Sequence, residues 1–182
     1  PGLGQQKVAV VMNPIKARSD EARTLIGNAC AAAGWVPPRF FDTTAEDPGF
    51  SQARAAVEYG ADVVLVGGGD GTVRVVADIL AGTDTAMGLI PLGTGNLLAR
   101  NIHLDVGDLH GSVQTALFGH QRFIDTARMR VENSRTKETA EYTFLVIAGI
   151  GMDAEVVGDT SDGLKKAVGW LAYTEAGVRH LP

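Results

Sequence analysis

The sequence predicts an α/β fold: a parallel sheet covered by helices on both faces, followed by the start of an antiparallel β-sandwich. Three observations carry this prediction. Short apolar runs suited to buried strands alternate with amphipathic helical segments, and each run ends in a polar or glycine-rich turn. After residue 121, apolar residues instead alternate with charged ones, as in antiparallel β-structure. We therefore expect an α/β domain over residues 1–120 and an incomplete second domain over residues 121–182.

The predicted strands of the first domain are short and rich in valine and other apolar residues. They cover residues 8–11, 39–42 and 63–66, and a fourth ends at Pro91. The helices between and after them begin near Ser19, Pro48, Thr72 and Asp108. In the second part, strands are expected over residues 121–132 and from Tyr142, and a helix over residues 165–180. The only cysteine, Cys30, lies on the apolar side of the first helix, so we expect a buried structural thiol and no internal disulfide.

Composition and charge exclude several classes of function. The chain has 182 residues, of which 45% are hydrophobic, and a formal net charge of −5. This acidic balance argues against nucleic-acid binding. The longest apolar run, residues 144–150, is too short to span a membrane. We expect a cytoplasmic protein whose contact with a membrane is local and peripheral.

The first glycine-rich turn follows the most apolar strand and contains Gly68, Gly69 and Gly71. Glycines allow a sharp turn and a close approach to a ligand, and a Cβ at Gly69 or Gly71 would block that approach and be disfavoured at positive φ. Thr72 is a plausible N-cap for the helix that follows, because the apolar repeat begins at Val73. The free N–H groups of that helix would face an anion such as phosphate.

Neither common nucleotide signature fits this turn. A Walker loop ends in Gly-Lys-Ser/Thr and a dinucleotide fingerprint needs a third glycine, but here Arg74 occupies that third position. Asp70 would repel a bare phosphate, whereas it can hold Mg²⁺ against one. The turn therefore predicts a metal-assisted phosphate site.

A second glycine-rich turn, residues 91–96, follows the fourth strand. The carboxyl ends of parallel strands meet at one edge of a sheet, where open α/β sheets bind ligands. Four polar residues should therefore converge there: Asn13, Thr44, Asp70 and Thr94. For Thr44, a turn role and a ligand role are about equally supported by spacing. For Asp125, which breaks the apolar side of an alternating strand, an edge-strand acid is favoured over a metal ligand.

These motifs together resemble the bacterial lipid kinases of the diacylglycerol kinase catalytic-domain type. Residues 68–72, residues 91–96 with Ala99-Arg100, and Asn13-Pro14 are similar to three signatures of that family. Residues 149–154 and 165–173 also match its pattern. The chain departs from the family at Arg74-Val75, where Asn-Glu is usual, and at Leu97, where an acid is usual.

The resemblance implies an NAD kinase/diacylglycerol kinase-like fold and an ATP- and Mg²⁺-dependent transfer of phosphate to a lipid hydroxyl such as that of diacylglycerol. It assigns Mg²⁺ to Asp70 and Asp125, and places the catalytic base beyond residue 182. The residues it assigns to nucleotide binding are Asn13, Thr44, Gly68, Gly69, Asp70, Gly71, Thr72, Val73, Arg74, Gly93, Thr94, Gly95 and Asn96.

Two alternatives stay open. An NAD kinase shares the first glycine-rich turn, although residues 96–100 do not fit that family. A noncatalytic nucleotide- or lipid-binding module is the other alternative. A single hairpin followed by one helix cannot complete a sandwich, so we expect the chain to be a fragment, inactive by itself, whose exposed apolar strands form a homo-oligomer.

Overall fold

Four parallel strands form the main sheet, in the spatial order β2-β1-β3-β4. The computed structural model describes residues 5–132 and 135–146. The strands are β1 (Val8–Met12), β2 (Arg39–Asp42), β3 (Val63–Gly68) and β4 (Ala86–Pro91). Every residue of β1 and β3 is buried, as expected for central strands of a sheet covered on both faces. The predicted parallel α/β architecture is confirmed.

The helices divide between the two faces of this sheet. They are α1 (Ser19–Ala32), α2 (Phe50–Glu58), α3 (Asp70–Leu80), α4 (Leu97–Asn101) and α5 (Leu109–Phe118). Alternate residues of β1 point to opposite faces, so Val10 packs with α1 and α5 while Val11 packs with α2 and α3. Each face therefore has its own apolar core.

Several details of the helices follow from their local sequence. Gly82 follows α3 with φ of +79°, the left-handed conformation expected of a residue just past a helix end. Asp108 caps α5, because its carboxylate accepts a hydrogen bond from the Gly111 N–H. Cys30 is buried, and this burial raises the pKa of its thiol. The short helix α4 was not predicted, since five residues are too few to show a helical repeat.

A hairpin of β5 (Ala127–Glu132) and β6 (Thr139–Phe144) forms the antiparallel part. The prediction that its first strand begins at residue 121 is wrong. Ala127 pairs with Phe144, the last residue of β6, so residues 121–126 have no strand opposite them within the described part of the chain. Phe123 and Asp125, placed by the sequence on an alternating strand, instead lie on an exposed segment before β5. The second strand begins three residues earlier than predicted, at Thr139.

The described residues up to Leu145 belong to one compact unit that contains both sheets. The boundary predicted between residues 120 and 121 stays a prediction. Residues 149–154 and the predicted helix over residues 165–180 lie outside the described residues. In the described part of the chain, no helix combines the length and apolar character that a bilayer span requires.

Candidate functional site

The loops that carry the predicted site residues lie together at the carboxyl edge of the main sheet. Backbone hydrogen bonds join neighbouring strands just where the strands end: Asn13 N–H donates to Gly67 O at 2.8 Å, and Leu92 N–H donates to Gly68 O at 3.1 Å. Asn13, Thr44, Asp70 and Thr94 each follow the end of a different parallel strand. The predicted convergence of these four loops on one edge is confirmed.

The first glycine-rich turn differs from its prediction in two respects. Gly69 has φ of −100° and Gly71 lies in the first turn of α3, so the expected positive φ is wrong for both. Helix α3 begins at Asp70 with Gly69 as its N-cap, so Thr72 is not the cap. The apolar repeat that starts at Val73 reports where the helix meets the core, whereas the helix itself begins three residues earlier.

Thr72 and Val73 have packing roles in this structure. The Thr72 side chain is buried against Gly68, where an added Cβ would lie 2.9 Å from the Thr72 Cβ. Val73 packs against apolar residues of both the α2–α3 core and the smaller cluster around α4. The Thr72 side chain is therefore unavailable to a ligand, and the Val73 N–H is already engaged, since it donates to the Gly69 carbonyl at 3.1 Å.

The two glycine-rich turns touch each other. A Cβ built on Gly93 would lie 2.5 Å from the Gly69 Cα, closer than any side chain tolerates. At Gly71, by contrast, a Cβ would meet nothing within 4 Å. Glycine is required at position 93 by the contact between the turns, whereas Gly71 leaves open space beside the first turn of α3.

Asp70 links the same two turns through its carboxylate. Its Oδ1 accepts a hydrogen bond of 2.6 Å from the Leu97 N–H, the first residue of α4. A Cβ on Gly95 would lie 2.6 Å from the Asp70 Oδ2, so Gly95 is required for this approach. Asp70 thus supplies the side-chain cap that α4 otherwise lacks, in addition to any role toward a ligand.

Asn96 shapes the second turn from within. It has a left-handed backbone with φ of 50°, and its side chain is buried. Its Oδ1 accepts from the Gly93 N–H at 3.1 Å and its Nδ2 donates to the Gly93 carbonyl at 2.7 Å. Arg100 adds a third bond, from its Nε to the Gly95 carbonyl at 2.8 Å. These bonds fix the turn without a ligand.

The loop after β1 is also internally braced. The Ser19 hydroxyl is buried and lies 2.8 Å from both the Asn13 and the Lys16 carbonyl oxygens. The Asn13 Oδ1 accepts from the Ile15 N–H at 3.2 Å. Arg18 is engaged with Glu21, and this hydrogen-bonded ion pair raises the pKa of the arginine and lowers that of the glutamate.

Thr44 has the turn role that its spacing allowed. Its hydroxyl accepts a hydrogen bond of 3.1 Å from the Asp47 N–H, and its own N–H donates to the Asp47 carbonyl. Asp47 in turn accepts from backbone N–H groups at the start of α2, including that of Phe50 at 2.7 Å. Nucleotide contact by Thr44 stays a prediction.

Few side chains in the described part of the chain are placed to bind a metal ion together. Within residues 5–132 and 135–146, no three Asp, Glu, His or Cys side chains come together. Asp125 is exposed, and Asp70 has one carboxylate oxygen beyond the bond to Leu97. Mg²⁺ commonly binds through one or two carboxylates, with water and phosphate oxygens completing its shell. The residues present fit a metal held jointly with a phosphate.

The cleft between the two turns is too small for a nucleotide. Its volume of about 10 Å³ has room for about one water molecule. It is lined by residues of β3, α3, β4 and α4: Gly68, Asp70, Val73, Leu89, Ile90, Pro91, Asn96, Leu98 and Ala99. Gly71 is not part of this lining, and the space beside it, where an added Cβ would meet nothing within 4 Å, lies outside the cleft.

Sequence reasoning missed the residues that brace the site. No structural role was predicted for three of these features: Asp47, Arg100 and the Asp78–Thr143 pair. In that pair Thr143 is buried, and its hydroxyl donates to the Asp78 carboxylate. Asp47 had a usable local signal, since an aspartate side chain in a turn commonly accepts hydrogen bonds from backbone N–H groups a few residues further along the chain. The Arg100–Gly95 contact lies within one short turn, whereas the Asp78–Thr143 contact joins residues 65 positions apart, and nothing local in the sequence indicates it.

This fold and site define an α/β domain of the kind that binds its ligand at the carboxyl ends of parallel strands. The chain belongs to the diacylglycerol kinase catalytic domain family, which matches residues 7–129. This is the family that the motifs resembled.

Individual relatives agree with this assignment. A diacylglycerol kinase of Mycobacterium tuberculosis (strain CDC 1551 / Oshkosh) is 34% identical over 127 residues, which are 70% of this chain and 39% of the relative. A diacylglycerol kinase of Bacillus subtilis (strain 168) is 29% identical over 97% of this chain and 56% of its own length. This chain therefore spans roughly two fifths to three fifths of the length of these two relatives.

Solved structures show the same fold. The crystal structure of a candidate diacylglycerol kinase from Bacillus anthracis str. Sterne superposes with a TM-score of 0.69. The superposition covers all of this chain and 58% of the other, at 20% sequence identity. At that identity the likeness supports the fold, and function has to be argued from the site.

Proposed function

We propose that this chain provides the nucleotide-binding part of an ATP- and Mg²⁺-dependent lipid kinase that transfers the γ-phosphate to a lipid hydroxyl. The single observation that carries the proposal is the pair of glycine-rich turns in contact at Gly69 and Gly93, at the carboxyl edge of the sheet. Backbone N–H groups at the start of α3 are free of helical partners there and suit a phosphate.

The nucleotide phosphates would lie over the open side of these turns. Gly71 leaves the necessary space, and Arg74 stands one turn further along α3. Asn13 and Thr94 would contribute from the flanking loops. The buried side chain of Asn96 is occupied by Gly93, so Asn96 would act by holding the turn in shape.

Mg²⁺, when bound, would neutralise charge on the phosphates and draw electron density from the γ-phosphorus. Asp70 would hold it, directly or through water, by the carboxylate oxygen that does not bond to Leu97. Asp125 would join the metal's water shell from the segment before β5. The other contribution of this chain is positioning, which dominates catalysis in phosphoryl transfer.

We place the acceptor site and the catalytic base outside the described residues. The relatives named above are longer than this chain, and they are diacylglycerol kinases by description. Diacylglycerol is therefore the acceptor we propose, reached by a cytoplasmic protein through peripheral contact with a membrane. On this view, residues 1–182 alone bind nucleotide and transfer little or no phosphate.

The hairpin supports a second part of the proposal, self-association. Val131 is 42% exposed and Tyr142 is 44% exposed, and Phe123 is fully exposed just before β5. Unpaired strand edges next to exposed apolar side chains favour pairing with another chain. We therefore propose that the 182-residue chain forms a homo-oligomer through β5 and β6.

The test of the activity is transfer of radiolabelled phosphate from ATP to diacylglycerol in mixed micelles. The 182-residue chain is compared with a natural reading frame that extends beyond it, each with and without Mg²⁺. We expect Mg²⁺-dependent product from the longer protein and little from the shorter one. Absence of product from the longer protein, with nucleotide binding intact, would favour a noncatalytic nucleotide-binding module.

A further inference from the structure

Arg74 carries a charge that the described residues do not neutralise. It is half-buried in α3, and it forms no hydrogen bond or ion pair with any residue in the ranges 5–132 and 135–146. Acids four residues away on a helix are ordinary partners for arginine. Here neither acid bonds to Arg74, and each uses one carboxylate oxygen elsewhere: Asp70 accepts from the Leu97 N–H and Asp78 from the Thr143 hydroxyl.

The direction of the Arg74 side chain brings it toward open space. Side chains on a helix lean toward its N-terminus, so Arg74 extends over the preceding turn, where Gly71 stands three residues earlier. A Cβ on Gly71 would meet nothing within 4 Å. The guanidinium therefore has room for a ligand group beside the first glycine-rich turn.

A second arginine approaches the same helix from the hairpin. The contact between Thr143 and Asp78 places one face of the hairpin against α3. Arg128 is directly opposite Thr143 in the β5–β6 register, and directly opposite residues of an antiparallel pair point to the same face. Arg128, like Arg74, has no hydrogen-bond or ion-pair partner among the described residues.

We propose that Arg74 and Arg128 together bind one phosphate group, carried by the nucleotide or by a phosphorylated lipid. The proposal rests on the proposed function, since it places this phosphate beside the first glycine-rich turn. Guanidinium groups bind phosphate oxygens through two parallel hydrogen bonds. One arginine belongs to the helix that follows that turn and the other to the second sheet, so a bound phosphate connects the two elements.

The test compares Arg74→Gln and Arg128→Gln with Arg54→Gln, a control on α2 that is exposed and has no partner among the described residues. Calorimetric titration with Mg·AMP-PNP measures binding of the nucleotide. Sedimentation with phosphatidylcholine vesicles, with and without phosphatidic acid, measures binding of a lipid phosphate. Thermal unfolding of each variant checks that the fold is intact.

We expect Arg74→Gln and Arg128→Gln each to weaken binding to one of these two probes by about tenfold or more, the loss typical of one charged hydrogen bond, while Arg54→Gln has no effect. Loss confined to AMP-PNP assigns the nucleotide phosphate, and loss confined to phosphatidic acid vesicles assigns the lipid. The proposal is overturned if either variant binds both probes as Arg54→Gln does. Failure of the proposed function is a separate result, in which the unsubstituted chain does not bind Mg·AMP-PNP.

Discussion

The Asp70 Oδ1 accepts a hydrogen bond of 2.6 Å from the Leu97 N–H, and this bond joins the two glycine-rich turns. The acid that the sequence assigns to a metal is therefore also the cap of α4. One carboxylate oxygen bonds to α4, and the other lies next to Gly95. Substitutions at Asp70 can separate these two roles.

Asp70→Asn keeps an oxygen that can accept from Leu97 but removes the charge. We expect Mg²⁺-dependent affinity for AMP-PNP to fall by about tenfold or more, with a small change in the melting temperature. Asp70→Ala removes the cap as well and should cost about 1 kcal/mol of folding free energy. Calorimetric titration with and without Mg²⁺, together with thermal unfolding, measures both effects. Equal Mg²⁺-dependent affinity for the Asn variant and the unsubstituted chain would contradict a metal role.

Gly71 and Gly93 should respond differently to substitution. Gly71→Val adds a side chain in the open space beside α3, so we expect a folded protein that has lost nucleotide binding. Gly69→Val should also abolish binding, because its added side chain lies at the contact between the turns. Gly93→Ala places a Cβ 2.5 Å from the Gly69 Cα, so we expect loss of stability first. Circular dichroism melts and nucleotide titration distinguish the three, and a Gly71→Val protein that binds normally would contradict the site.

The sequence predicted the sheet well because its signals are local. The run Val63–Val66 and the glycines after it identify a buried strand and its turn within ten residues. The error at the start of β5 has a tertiary cause, since a strand ends where its partner ends, and β6 supplies no partner for Phe123 or Asp125. The sequence of residues 121–126 alone contains no sign of that limit.

We expect the stability of the fold to depend on pH through the hydrogen-bonded carboxylate of Asp47. The Ser51 hydroxyl and then the Gly49 N–H, with other N–H groups of α2, lower its pKa from 3.8 to about 2. Because the pKa of Asp47 is lower in the folded chain, its carboxylate contributes fully to the free energy of unfolding above the unfolded pKa near 3.8. This contribution is lost as the pH falls toward about 2. Asp47→Ala should therefore lower the melting temperature at neutral pH, and its difference from the unsubstituted chain should shrink between about pH 4 and about pH 2.

The control for this experiment is Asp84→Ala, at an exposed acid without a hydrogen bond among the described residues. At each pH in this range, Asp84→Ala should have the same melting temperature as the unsubstituted chain. A constant deficit of Asp47→Ala down to the lowest pH would show that its carboxylate charge does not stabilise α2.

We expect the exposed apolar face of the hairpin to bind a second copy of the chain. A charge placed on that face should prevent this association. Val131→Lys puts an ammonium group next to Tyr142 and Ala140, and we expect it to shift the 182-residue chain toward monomer. Sedimentation velocity at several protein concentrations measures the change. Glu58→Lys, on the exposed side of α2, is the control for net charge. A monomeric unsubstituted chain at all concentrations would contradict the proposed oligomer.

The sequence indicated which residues lie at the candidate site better than it indicated what each of them contacts. Glycines and acids after parallel strands indicate where a ligand binds, so Asp70 and Gly93 were found from spacing. Their contact partners were not, because Leu97 and Gly69 are separated from them by more than twenty residues of chain. Asn96 was predicted to touch a ligand, whereas both polar atoms of its side chain bond to Gly93.

Amide NMR of the 182-residue chain during titration with Mg·AMP-PNP locates the nucleotide site residue by residue. We expect the N–H signals of four glycines in the two turns to shift saturably, and to shift less without Mg²⁺: Gly69, Gly71, Gly93 and Gly95. The signal of Gly34, beyond the end of α1, should not shift. Binding with shifts confined to residues away from the two turns, or no binding by a folded chain, would contradict the central claim that these turns form the nucleotide site.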